Sequence, residues 1–244
     1  MDYPGYLQLD ALLALQQAQS KPEEPDELLF IVVHQASELW FKVILRELDT
    51  LVAHLESRDI TGAIFVTKRL NALMRIVSDQ LSALDTLPPQ RFARFRGYLG
   101  TSSGSQSAQF RAIEAASGLR EPSFLHAIAE SGEPPAEVRR WLARPTLQSL
   151  FEQLLASLGE TPESIYKSAD ASPLFLLAEE LLEYDQGFAR WRFLHVQLVE
   201  RIIGPGTGGT GGTLGAKYLA RTVSQRFFPV LWDVRSRVFG GGAA

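Results

Sequence analysis

The hydropathy pattern predicts an all-α fold, a helical bundle in which two long helices organise several shorter ones. Three observations predict it. Apolar residues recur at three- and four-residue spacing through two stretches of about 30 residues each. Gly, Pro and Ser punctuate the rest of the chain at short intervals. No period-two alternation is long enough to build a sheet, and no internal repeat is present. At 244 residues the chain is most simply one domain, 1–244, with 1–25 as an N-terminal arm and 240–244 as a flexible tail.

The elements follow in order. From Asp26, read as an N-cap after Pro25, the apolar stripe runs through Leu29, Val33, Trp40, Ile44, Leu48, Val52 and Leu55. A second helix is expected from Thr61 to Leu87, stopped by Pro88-Pro89. Shorter helices are expected over Gln90 to Tyr98, Gln106 to Ser117, Ser123 to Ala129, Ala136 to Ala143 and Thr146 to Leu158. The other long helix starts after Pro173 and continues through Ile203, with Leu177, Leu181, Tyr184, Phe188, Trp191, His195, Leu198 and Ile202 on one face. Seven glycines within Gly204 to Gly215 then form a loop, and helices resume over Tyr218 to Phe228 and Pro229 to Phe239.

Composition excludes whole classes of chemistry. Hydrophobic residues make up 45% and charged residues 21%, which is ordinary globular usage. Lys+Arg 24 against Asp+Glu 28 gives a formal net charge of -4, so no global basic field exists to collect nucleic acid or an anionic membrane. Zero cysteines exclude disulfides, thiol nucleophiles, iron–sulfur clusters and thiolate-ligated haem. The N-terminus lacks a basic and apolar leader pattern, and unbroken apolar runs such as Leu28 to Val33 are short, so a cytoplasmic location is the default expectation.

Only four histidines remain for metal chemistry: His34, His54, His126 and His195. An imidazole on an apolar stripe is either a hydrogen-bonded core residue or a metal ligand, and both readings stand for His195 and for His34. His54 and His126 read as surface residues. The glycine loop follows a helix and lacks a Gly-Lys-Ser/Thr triplet, so it reads as a crossover or as a flap over a small polar group. Arg91, Arg94 and Arg96 stand among Phe92, Phe95, Tyr98 and Leu99. Such a guanidinium can capture a carboxylate, or the three can line a solvated helix face.

Five ordered strings carry a resemblance: DELLFIVVHQASELWFKVILRELD (Asp26 to Asp49), FRGYLGTSSGSQSAQFRAIE (Phe95 to Glu114), FLHVQLVERIIG (Phe193 to Gly204), GTGGTGGT (Gly206 to Thr213) and FFPVLWDVRS (Phe227 to Ser236). Together they resemble the tryptophan 2,3-dioxygenase family, leaving about Leu119 to Ser172 unmatched. The resemblance implies an all-α, haem-binding homotetramer that opens the indole ring of L-tryptophan with O2 to give N-formylkynurenine. It implies that His195 is the axial ligand of haem b iron and that His34 hydrogen-bonds the indole N–H. It further implies Arg96 and Thr207 at the amino-acid end of the substrate, Phe30, Phe92 and Leu99 as apolar walls, and Ser103 near the haem edge. Tyr3 and Tyr6 match a pair that reaches into a neighbouring subunit.

The sequence departs from the family pattern in three places. The segment Ile203 to Thr207 is two residues shorter and lacks a lysine, Ser105 replaces an aromatic, and Leu81 stands where a tryptophan is common. An alternative outcome within the resemblance is a monooxygenase inserting one oxygen atom into an indole or another aromatic amino acid. From another class, a haem-sensing or interaction protein without turnover would need neither His34 nor Arg96.

Overall fold

Helices begin where short polar side chains can accept their free N–H groups. A computed structural model describes residues 1–120, 124–126, 128, 132–168, 171–208 and 216–240. They form α1 (Tyr3–Leu7), α2 (Leu9–Leu13), α3 (Pro25–Glu56), α4 (Ile60–Asp79), α5 (Leu81–Leu84), α6 (Pro89–Arg96), α7 (Ala108–Ser117), α8 (Ala136–Leu142), α9 (Leu147–Ser157), α10 (Pro162–Lys167), α11 (Pro173–Ile203), α12 (Ala216–Thr222) and α13 (Pro229–Phe239). Among the described residues no strand occurs, and the all-α expectation holds. Residues 124–126 and 128 of the helix expected at Ser123 to Ala129 are helical, and the rest of that stretch lies outside the described residues. So do 209–215 of the glycine loop and 241–244 of the tail.

Ser107, Thr146 and Ser172 cap α7, α9 and α11, each accepting at 3.1 Å from the third residue onward. Pro173 occupies the first turn of α11 and Gly204 follows its last residue at φ 83°, so α11 has the expected bounds. The start of α3 is shifted: Glu24 is the N-cap, Pro25 opens the helix and Asp26 lies in its first turn. The helix expected from Thr61 to Leu87 is also two helices. Gln80 interrupts it, and its Nε2 donates to Ser37 Oγ on α3 at 2.6 Å. No glycine or proline marks this break, because its partner is across the bundle. Helix α12 ends at Thr222, short of the expected Phe228.

The core is the packing of α3, α4 and α11, with α4 against α11 the largest helix–helix contact. Ile44, Leu48 and Leu51 of α3, Leu70 and Val77 of α4, and Leu177, Leu181 and Phe188 of α11 are at most 0% exposed. Burying each large aliphatic contributes about 2 kcal/mol. By length and composition alone α3 could cross a membrane, with hydropathy 1.6 in its most apolar window, yet its inward face is this core. Helix α7 turns at Gly118, φ 120°, where an added Cβ would come within 3.2 Å of the Phe227 carbonyl oxygen. That close approach joins α7 to the Phe227-Phe228 segment behind α11.

Candidate active site

The C-terminal half of α11 and the N-terminal half of α3 do not close on each other. Between them, with α6 and the turn at Gly104–Gln106, lies a cavity of about 260 Å³. Phe30, His34, Phe92, Arg96, Ser103 and His195 all line it. The sequence thus placed residues from four separate segments on one surface. Leu99 lies beside the cavity, packed on the cluster of Leu87, Phe92 and Phe95. Thr207 closes the turn after α11, its N–H donating to the Gly204 carbonyl at 3.4 Å. Tyr3 and Tyr6 of α1 point away and are 72% and 73% exposed on this chain. His54 sits half-buried beside Asp59, 2.9 Å away, and His126 is exposed.

The two cavity histidines are both held neutral. Burial pushes His195 down to about 4, with the His34 imidazole across the cavity acting in the same direction. His34, whose side chain is open to the cavity solvent, is lowered as well by the protein packed around it, against smaller opposing effects of the Phe30 carbonyl and Glu38. His34 Nδ1 is 2.7 Å from the Phe30 carbonyl oxygen. A carbonyl only accepts, so Nδ1 carries the proton and Nε2 presents a lone pair. The Phe30 ring, 4.2 Å from the imidazole and 5.8 Å from Phe92, fixes its tilt.

His195 differs. It stacks on Trp191 at 5.1 Å between ring centres, and among the described residues its imidazole makes no hydrogen bond. A neutral imidazole that opens onto the cavity without a protein hydrogen bond has the free lone pair a metal ligand would use. Among the described residues no three His, Asp or Glu side chains converge as a metal site.

Arg96 Nη2 donates to the Gly208 carbonyl at 2.7 Å, which ties α6 to the glycine loop and brings Arg96 next to the Thr207 turn. Sequence reasoning missed the polar end of the cavity. Glu114, 1% exposed, receives Arg192 Nη2 at 3.0 Å and Arg111 Nη1 at 2.7 Å. A charge inside the apolar run Ala112 to Ala116 was the available signal, but its partner Arg192 is 78 residues away.

Among the described residues the two longest helices thus bring two imidazoles to one largely apolar cavity, which makes this a helical protein with an internal histidine-lined pocket. The family comparison makes the class specific. The family model for tryptophan 2,3-dioxygenase matches residues 1–131 and 154–238, so the chain belongs to the tryptophan 2,3-dioxygenase family. The match reaches well into the Leu119 to Ser172 stretch that the five strings leave open. Over 98% of its length the chain is 38% identical to the tryptophan 2,3-dioxygenase of Kineococcus radiotolerans, covering 91% of that protein. It is 36% identical to those of Xanthomonas euvesicatoria pv. vesicatoria and Xanthomonas oryzae pv. oryzae, covering 88% of each.

Proposed function

We propose that the chain is a haem-dependent dioxygenase that cleaves the indole C2–C3 bond of L-tryptophan with O2, giving N-formylkynurenine. The observation that carries this reading is the pairing of a partnerless His195 with a tautomer-fixed His34 across one cavity that has an arginine at its rim. His195 would hold haem b, with Ser103 at its edge. When bound, haem supplies an iron that activates O2.

The protein's own residues do the rest. The indole N–H donates to His34 Nε2, which sets the ring's orientation. Phe30, Phe92 and Leu99 enclose the ring and exclude water, so the site needs no strong general base. Arg96 pairs with the substrate carboxylate, with Thr207 beside the ammonium. For this the carboxylate would take the place of the Gly208 carbonyl that Arg96 Nη2 now holds. In a homotetramer the exposed Tyr3 and Tyr6 would complete a neighbour's pocket. A cytoplasmic location agrees with α3 being built into the bundle core.

Anaerobic reduction of the haem-loaded protein, followed by L-tryptophan and 18O2, tests this reading. N-formylkynurenine carrying two labelled atoms is expected. A product carrying one labelled atom would establish the monooxygenase outcome instead.

A further inference from the structure

We infer that Glu24 is a positioning residue for substrate capture: it sets the rotation of α6 so that Arg96, among three nearby arginines, faces the cavity. The inference rests on the carboxylate-binding reading of Arg96.

Helix α6 has eight residues, a Pro88 N-cap without a side-chain hydrogen bond, and only a short 3-10 turn behind it, so its own hydrogen bonds do not hold it in place. Its apolar side, Phe92 and Phe95, packs on Phe30 at ring distances of 5.8 and 5.5 Å. These buried rings fix the inner side of α6, and polar contacts at the solvent side hold it against rocking. Glu24, only 5% exposed, places Oε2 at 3.1 Å from Arg94 Nη1 and Oε1 at 3.5 Å from Arg91 Nη1. Arg91 and Arg94 are three residues apart and share a face. Arg96 lies about 200° around the axis from Arg94, so a clamp on one side presents Arg96 on the other.

Glu24 is itself anchored. Its backbone N–H donates to Ser20 Oγ at 2.8 Å, and Glu27, 1% exposed, accepts from the N–H groups of Gln19 and Ser20 at 2.9 and 3.0 Å. Beyond the clamp, Tyr98 donates its hydroxyl to the Lys21 carbonyl at 2.8 Å. Residues 19–24 are therefore a strap across α6. By occupying Arg94, and Arg91 together with Asp26, whose Oδ2 is also 3.5 Å from Arg91 Nη1, Glu24 also keeps two competing guanidinium groups from the substrate carboxylate.

The test compares L-tryptophan with indole, which has no carboxylate, on the haem-loaded protein by equilibrium dialysis and steady-state kinetics. Glu24→Gln is expected to weaken L-tryptophan binding and raise its KM roughly tenfold, with kcat, indole binding and the absorption spectrum unchanged. Glu24→Asp should restore part of the loss, and Glu24→Gln should cost nothing further in an Arg96→Met background. If Glu24→Gln does not fold, the exposed side of the clamp is cut with the double variant Arg91→Gln/Arg94→Gln, and the same pattern is expected. Equal loss for indole, no loss for either ligand, or a further loss in the Arg96→Met background would overturn the proposal. Arg96→Met alone separates the two readings. If it weakens indole as much as L-tryptophan, the carboxylate reading fails. If it discriminates between them while the clamp variants do not, the clamp fails and the carboxylate reading stands.

Discussion

The two halves of α11 treat an inward-facing polar group in opposite ways. In the N-terminal half, Asp185 is 0% exposed and its carboxylate accepts from Phe227 N at 3.1 Å, Phe228 N at 3.3 Å and Trp232 Nε1 at 2.8 Å. In the C-terminal half, ten residues on, His195 is half-buried on the cavity wall and makes no such bond among the described residues. Burying a polar group without a hydrogen bond costs free energy, so the fully partnered carboxylate belongs to the fold, whereas the imidazole opens onto the cavity and is free to meet a ligand there. The difference separates architecture from chemistry on a single helix.

The largest effect expected from this contrast is all-or-none. His195→Ala should leave the purified protein without haem or without its histidine-ligated absorption spectrum. A variant with the full wild-type spectrum and activity would remove His195 from the site. The same position should matter little to folding, so His195→Leu in the haem-free chain is expected to melt no lower than its parent in calorimetry.

Asp185→Ala should show the reverse. Three donors lose their acceptor at once, and a stability loss of about 4 kcal/mol is expected in urea unfolding. Asp185→Asn, which keeps one carbonyl acceptor, should lose less. If both variants were near neutral, hydrogen bonding would not distinguish the two halves.

Acid should act on the His195 half. Its folded value lies near 4, below the ordinary 6.5, so between these values the unfolded chain binds the extra proton and the folded chain does not. This stability is fully present above pH 6.5 and is lost as the pH falls toward 4, by at most about 3 kcal/mol in the haem-free chain. The loss should be reduced in His195→Leu, and an identical pH profile in that variant would assign the transition to other groups.

The smallest effect falls on His34. One neutral hydrogen bond is worth about 1 kcal/mol net, so His34→Ala should slow turnover by roughly one order of magnitude. N1-methyltryptophan, which cannot donate that bond, should gain relative to L-tryptophan in the variant. Complete loss of turnover with haem and substrate still bound would require an acid or base at this position.

What could be read from the sequence was local. The ends of α11 were legible because Ser172-Pro173 and Gly204 punctuate them, and its stripe put His195 among apolar neighbours. The break at Gln80 was not legible, because no glycine or proline stands there and the contact Gln80 makes is to a hydroxyl on α3, 43 residues away. Helix α10 was missed although Thr161 and Ser164 form a reciprocal capping box. That pattern usually ends in Glu or Gln, and here the third position is Ser. Helices α1 and α2 lay hidden in the arm, their stripe exposed and uninformative about a core. At the site, the resemblance supplied Arg96, but spacing alone could not separate it from Arg91 and Arg94. The fold sorts the three, with Arg96 on the cavity wall and Arg91 and Arg94 turned toward Glu24. The pair of Glu114 and Arg192 shows the same limit, since each residue alone is an isolated charge in an apolar run.

The Asp185 contacts also carry a temporal consequence. They join positions 42, 43 and 47 residues apart, and closing loops of that length comes late relative to forming the helices themselves. The segment from Phe227 to Trp232 should therefore dock only after α11 has formed. Contacts made after the transition state govern the rate of escape from the native state more than the rate of reaching it. In stopped-flow measurements Asp185→Ala should accelerate unfolding while leaving refolding almost as fast, so this carboxylate acts as a latch on the lifetime of the folded molecule.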